Sequence, residues 1–229
     1  MVKWLKIGLG MLMVRAYEAG ANLYGMVHHP YLTWKRVTDT GHLGSSIILI
    51  ILFSCYFGIR EPIRWGNISW QGIIIHQINL QRIKLWASIS ITQIIVSVLT
   101  YFVVVCLLSF MGKLWVKQVN FTQAFVRVFK VWIYSYLPTF LWFLLTAIIF
   151  AFLPPPRQMT AKGLLFSFVF LGVSSGLLIW KVMLYLLTLK VGLNMNQKQI
   201  FWSTIFLVPL LLIFSQIMYW LKFFNIPYI

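Results

Sequence analysis

The chain has 229 residues, with 19 Lys and Arg, three Asp and Glu, and 61% hydrophobic side chains. Mean hydropathy is +0.87 and charged residues make up 10%, against about 25% in an average soluble domain. A soluble domain of this size lacks the interior to hide so much apolar surface. The composition excludes that class and indicates an integral membrane protein.

The three acids limit the chemistry. Glu18 and Asp39 lie in the N-terminal segment and Glu61 just past the first apolar run. A paired-carboxylate site, a carboxylate proton relay and a carboxylate magnesium site within the membrane all lack their parts. The formal charge of +16 is read as basic loops facing anionic lipid headgroups. No basic domain stands apart from the spans, so nucleic acid is not an expected partner. Cys55 and Cys106 fall inside apolar runs and read as small hydrophobes.

Residues 1–42 read as an N-terminal cytoplasmic and interfacial segment. Lys3, Lys6, Arg15 and Glu18 share one half of a helical wheel, with Trp4, Leu5, Met11 and Leu12 largely opposite. That pattern predicts an amphipathic helix over 1–20 on the membrane surface; the rival reading is a retained, uncleaved anchor, although the apolar run is too short to span. Pro30 breaks the helix before it. Trp34, Lys35 and Arg36 then suit the headgroup layer, as Trp4 does.

Residues 43–229 read as one transmembrane domain. About 20 apolar residues cross the hydrocarbon core, and uncharged runs place spans at 43–59, 85–112, 131–156, 163–183 and 199–221. The runs are too long, and too little alternating, for barrel strands. The fold class is all-α, five transmembrane helices with an N-terminal interfacial helix. Twelve Lys and Arg fall on the N-terminal side of the membrane and seven on the other. The bias puts the N-terminus in the cytoplasm and the C-terminus outside. The loop 60–84, with Trp65, Trp70, residues 73–75 and Arg82, is expected along the outer interface, and 113–130 along the inner one. Lys181, near the end of the fourth span, can snorkel to the headgroups.

Four groups of residues stand out within the spans. Gly172 and Gly176 form a small-xxx-small motif, which lets another backbone approach, from a helix of the same chain or across a dimer seam. Ser90, Gln93, Ser97 and Thr100 recur on one face of the second span. A polar stripe should face protein or water, serving interhelical hydrogen bonds or lining a substrate path. Pro138 and Pro209 can kink the third and fifth spans, and the Pro154–Pro156 run is read as ending the third. The histidines His28, His29, His42 and His76 lie outside mid-span positions and lack ligand spacing. No cofactor, metal site or catalytic constellation is expected. The triplets 67–69 and 120–122 are formal glycosylation sequons.

The order of motifs resembles a known family. His29-Pro-Tyr-Leu-Thr-Trp-Lys-Arg-Val37 is followed by Gly41-His-Leu-Gly-Ser-Ser46 and the first span. Asn120-Phe-Thr-Gln-Ala-Phe125 leads into Tyr134-Ser-Tyr-Leu-Pro138, and Val191-Gly-Leu-Asn-Met-Asn196 precedes the last span. This layout is similar to the Yip (Ypt-interacting protein) domain family. Eukaryotic members carry a longer N-terminus with an Asp-Leu-Tyr-Gly-Pro element, echoed here only by Asn22-Leu-Tyr-Gly25. The short N-terminus looks more like the bacterial members, so binding of trafficking GTPases is not carried over. The resemblance implies a non-enzymatic protein of the bacterial inner membrane, an accessory or scaffold subunit of a larger membrane complex such as an exporter. The alternative is a small channel or transporter with a polar path along the second-span stripe.

Overall fold

The computed structural model describes residues 2–65, 80–116, 119–152 and 161–220. The described residues form helices and contain no strand: α1 (Val2–His28), α2 (Pro30–Thr40), α3 (Leu43–Trp65), α4 (Leu80–Trp115), α5 (Phe121–Trp132), a 3-10 turn (Ile133–Tyr136), α6 (Leu137–Phe152), α7 (Ala161–Leu187), a π turn (Thr188–Gly192) and α8 (Gln197–Trp220). Four stretches are long and apolar enough to cross a membrane: Ala87–Trp115, Phe121–Thr146, Ser167–Gly192 and Gln197–Phe214. A fifth is counted only when α2 and Leu43–Ile59 are taken together across a bend of 117°. By length and composition the described helices supply four to five spans of an all-α membrane protein.

Several boundaries differ from the sequence reading: α3 runs on to Trp65 and α4 already starts at Leu80, so both enter the expected loop 60–84. The N-terminal helix runs to His28, because its second half has something to pack on: Ala19, Asn22 and Met26, at spacings of three and four, are buried. The stretch 121–130, expected as an interfacial loop, is the first part of the third span. Ala124, Val128, Val131 and Trp132 recur at helical spacing and bury one face of α5, which extends the helix well before position 131. The fourth span continues through the π turn to Gly192, which leaves Lys181 within it, its ammonium 5.7 Å from the Tyr136 ring centroid. The expectations for Trp70, residues 73–75, His76, the sequon 67–69 and the Pro154–Pro156 run lie outside the described residues.

The core sits where α2, α5 and the π turn meet α3 and α4. Trp34, Tyr101, Tyr134, Tyr136, Phe53 and Phe57 are its largest enclosed side chains. Pro138 explains why the third span changes pitch there. It has no N–H for the Tyr134 carbonyl one turn back; the Leu137 N–H bonds that carbonyl instead, in the tighter 3-10 pattern. Hydroxyls stitch the carbonyls around this transition. Tyr101 donates to the Phe129 carbonyl at 2.6 Å, Ser46 to Lys130 at 2.9 Å and Ser135 to Trp132 at 2.7 Å. Pro209 lies inside α8, which continues through it.

The turn between the last two spans is equally specified. Asn194 takes the left-handed conformation at φ 55°, and the Met195 N–H reaches back to the Leu189 carbonyl at 3.1 Å, the closure expected of an Asn at a helix C-terminus. Asn196 and Gln199 then exchange side chain–backbone bonds at 2.9 Å each, a reciprocal cap on α8. The Gln199 amide also donates to the Trp115 carbonyl at 2.7 Å, which ties the start of α8 to the end of α4.

Candidate functional site

A polar cluster joins the N-terminal helices to the third span. Asn22 points from the packed face of α1 and is 3% exposed. Its amide nitrogen donates to the Tyr134 hydroxyl at 3.1 Å, and its carbonyl oxygen accepts from the Arg36 guanidinium at 2.8 Å. A buried amide must find partners for both ends, and here they come from α2 and the 3-10 turn. One turn earlier on α1, Glu18 pairs with Arg15 at 3.1 Å and accepts the His42 backbone N–H at 3.3 Å. Glu18 thereby holds the elbow between α2 and α3. Gly25 lets α2 fold back closely: a Cβ there would lie 2.5 Å from Thr33 Oγ1.

This cluster was legible only in fragments. Asn22, Arg36 and Tyr134 each sit in a separate motif of the resemblance, and nothing in their spacing shows that the motifs meet. The cluster positions and orients; it contains no nucleophile beside a base. Among the described residues no group of three or more metal-ligating side chains comes together.

The residues singled out from the sequence fall as follows. Trp34 is a correction: it is fully buried rather than placed at the headgroups. Thr33, Trp34, Val37 and Thr38 are the inward face of α2, so the tryptophan faces the core, while Lys35 and Arg36 are exposed on the other side. Trp4 lies on α1, and its side chain is outside the described residues. The stripe faces packed protein. Gln93, Ser97 and Thr100 are buried, Ser90 is half-buried, and its carbonyl lies 3.0 Å from where a Gly58 Cβ would stand on α3. The Ser97 and Thr100 hydroxyls are enclosed without a hydrogen-bond partner, so these two do not make the interhelical bonds expected of them.

Gly172 and Gly176 also depart from the same-chain reading. A Cβ at either meets nothing within 4 Å, because their face of α7 points away from the other described helices. Close helix approach is made instead by Gly58, whose added Cβ would lie 2.5 Å from Ile94, and by Gly112, at 2.7 Å from Leu193. Ser54 and Gly58 are themselves a small-xxx-small pair, whereas Gly112 has no small residue four positions away and the spacing rule passes over it.

The model of the Yip1 domain family matches residues 24–218. No curated protein and no solved structure matches the chain. The matched region starts in the second half of α1 and stops in the last turn of α8, taking in Arg36, Tyr134 and the bent α2–α3 pair. The chain is a multi-pass membrane protein of the Yip1 domain family.

Proposed function

We propose that this protein is a non-catalytic scaffold or accessory subunit of a larger membrane assembly, for example beside an exporter. It would sit in a bacterial inner membrane with its N-terminus in the cytoplasm and its basic ends against anionic headgroups. The supporting observation is the exposure of α7 and α8. Only 6% and 11% of their most apolar stretches are buried, against 44% for the second span and 56% for the third. Gly172 and Gly176 lie on that surface with open space around them. A glycine-lined helix face suits close packing by another helix, and a partner subunit supplies one.

The test is a pulldown in gentle detergent with a tag on the N-terminal end, read by mass spectrometry. One stoichiometric partner that is lost in a Gly172→Leu/Gly176→Leu variant supports the reading. A monomer or a partnerless homo-oligomer overturns it.

The second reading, a polar path for a small solute, draws on the two enclosed hydroxyls without partners, Ser97 and Thr100. It requires water to reach them in some state. Cysteines at these positions that never react with a water-soluble thiol reagent, even during transport assays, would sink it.

A further inference from the structure

A groove opens between the end of α2 and the outer face of α5, with a cavity volume of about 430 Å³. Thr38 and Asp39 form its α2 wall. Thr122, Gln123, Val126, Arg127 and Lys130 form the other, at helical spacings that put them on one face of α5. The opposite face carries the buried Ala124, Val128 and Val131, and a ladder of Phe121, Phe125 and Phe129 runs along the side, with successive ring centroids 6.2 and 5.9 Å apart.

The charge pattern is the informative part. Asp39 is one of three acids in the whole chain, and it shares this groove with Arg127 and Lys130. None of the three is in an ion pair among the described residues; the pair present there is Arg15–Glu18. A groove with one anionic wall and one dicationic wall, its charges not paired with one another, complements a ligand that carries both signs. The location agrees. Asp39 lies just before the elbow where α2 turns by 117° from α3, and Phe121 opens the third span. The groove is therefore at the end of a membrane span, with aromatic side chains beside it.

We infer that this groove holds the headgroup of a phospholipid bearing a primary amine, of the phosphatidylethanolamine type. Arg127 and Lys130 receive the phosphodiester through charge-assisted hydrogen bonds. Asp39 receives the ammonium, and Thr122 and Gln123 offer further polar contacts. The Phe121–Phe125 edge lies along the exit for the acyl chains. Phosphatidylglycerol lacks the ammonium, and phosphatidylcholine carries a trimethylated one that cannot donate a hydrogen bond to Asp39.

The experiment is native mass spectrometry of the full chain, after incubation with an equimolar detergent mixture of phosphatidylethanolamine, phosphatidylglycerol and phosphatidylcholine of matched chains. Wild type should retain the ethanolamine lipid about tenfold over either competitor, the discrimination that one charge-assisted hydrogen bond supplies. Asp39→Asn should bring ethanolamine and glycerol lipids to near parity while the protein stays monodisperse, since Asp39 is exposed. Arg127→Gln with Lys130→Gln should lose bound lipid of all three classes. Added free phosphoethanolamine should not displace the lipid, because it lacks the acyl chains. Equal retention of the three lipids by wild type, or an unchanged preference in Asp39→Asn, overturns the assignment. Displacement by free phosphoethanolamine also overturns it, in favour of a soluble ligand. None of these readouts depends on a protein partner, so the assignment stands or falls apart from the scaffold reading.

Discussion

Asn22 and Tyr134 stand 112 residues apart in the chain, and the amide of the first donates to the hydroxyl of the second at 3.1 Å. That bond, with Arg36 on the other end of the same amide at 2.8 Å, makes one buried side chain the meeting point of α1, α2 and the third span. Removing it takes from the buried Tyr134 phenol one of two side-chain partners, the other being Ser45, and from the exposed Arg36 guanidinium its acceptor. Asn22→Ala should destabilise the protein by about 1–3 kcal/mol, more than Tyr134→Phe, which removes a hydroxyl and keeps the ring. The double variant should cost less than the sum of the two. Thermal or denaturant unfolding in detergent checks all three. Strict additivity would mean that the bond contributes nothing.

Trp34 separates core from interface by a simple contrast. It is fully enclosed, so Trp34→Ala should cost about 3–5 kcal/mol. Lys35→Ala, next to it and exposed, should stay within about 0.5 kcal/mol. A tryptophan held only by headgroups would show the opposite balance: little change in detergent and weaker association with liposomes.

The glycines provide a second contrast. Gly58→Ala forces a new carbon to within 2.5 Å of Ile94 and 3.0 Å of the Ser90 carbonyl, an overpacked contact that should cost about 1–3 kcal/mol. Gly172→Ala and Gly176→Ala meet nothing, and the gain in helix propensity should stabilise the isolated chain slightly, by up to about 1 kcal/mol each. Melting temperatures of the three variants in one detergent check the ranking.

Gln199 acts at two places at once, capping α8 through Asn196 and bonding the Trp115 carbonyl at the end of α4. Gln199→Ala should lose about 1–2 kcal/mol. Gln199→Glu keeps the acceptor for the Asn196 N–H and loses the donor to Trp115, so it should fall between alanine and wild type. Stability measurements on the pair divide the cap from the tie.

Much of the architecture was legible from composition and run length. A membrane solvent demands long uncharged helices, so the runs at 85–112, 163–183 and 199–221 fall on α4, α7 and α8 with shifted ends, while the run at 131–156 overlaps the end of α5, the 3-10 turn and α6. The shifts have one cause. Helix ends depend on what the flanking residues pack against, as with Phe121–Lys130 and the π turn after Leu187, and hydropathy does not report that.

The family was also legible, because its motifs are local: Pro30 through Trp34, Tyr134 through Pro138, and Asn194 through Asn196 are short words that specify a helix start, a change of pitch and a turn. What joins the words was decided by tertiary structure alone. A polar side chain in a buried position is defined by partners distant in sequence, so Asn22 became a site residue only when Arg36 and Tyr134 closed on it. Trp34 is amphipathic enough for either environment, and the packing of α2 against α1, α5 and the π turn chose the core. The Gly172–Gly176 spacing announced a close-packing face, but which helix it meets depends on which face of α7 turns toward the bundle, and no local pattern encodes that.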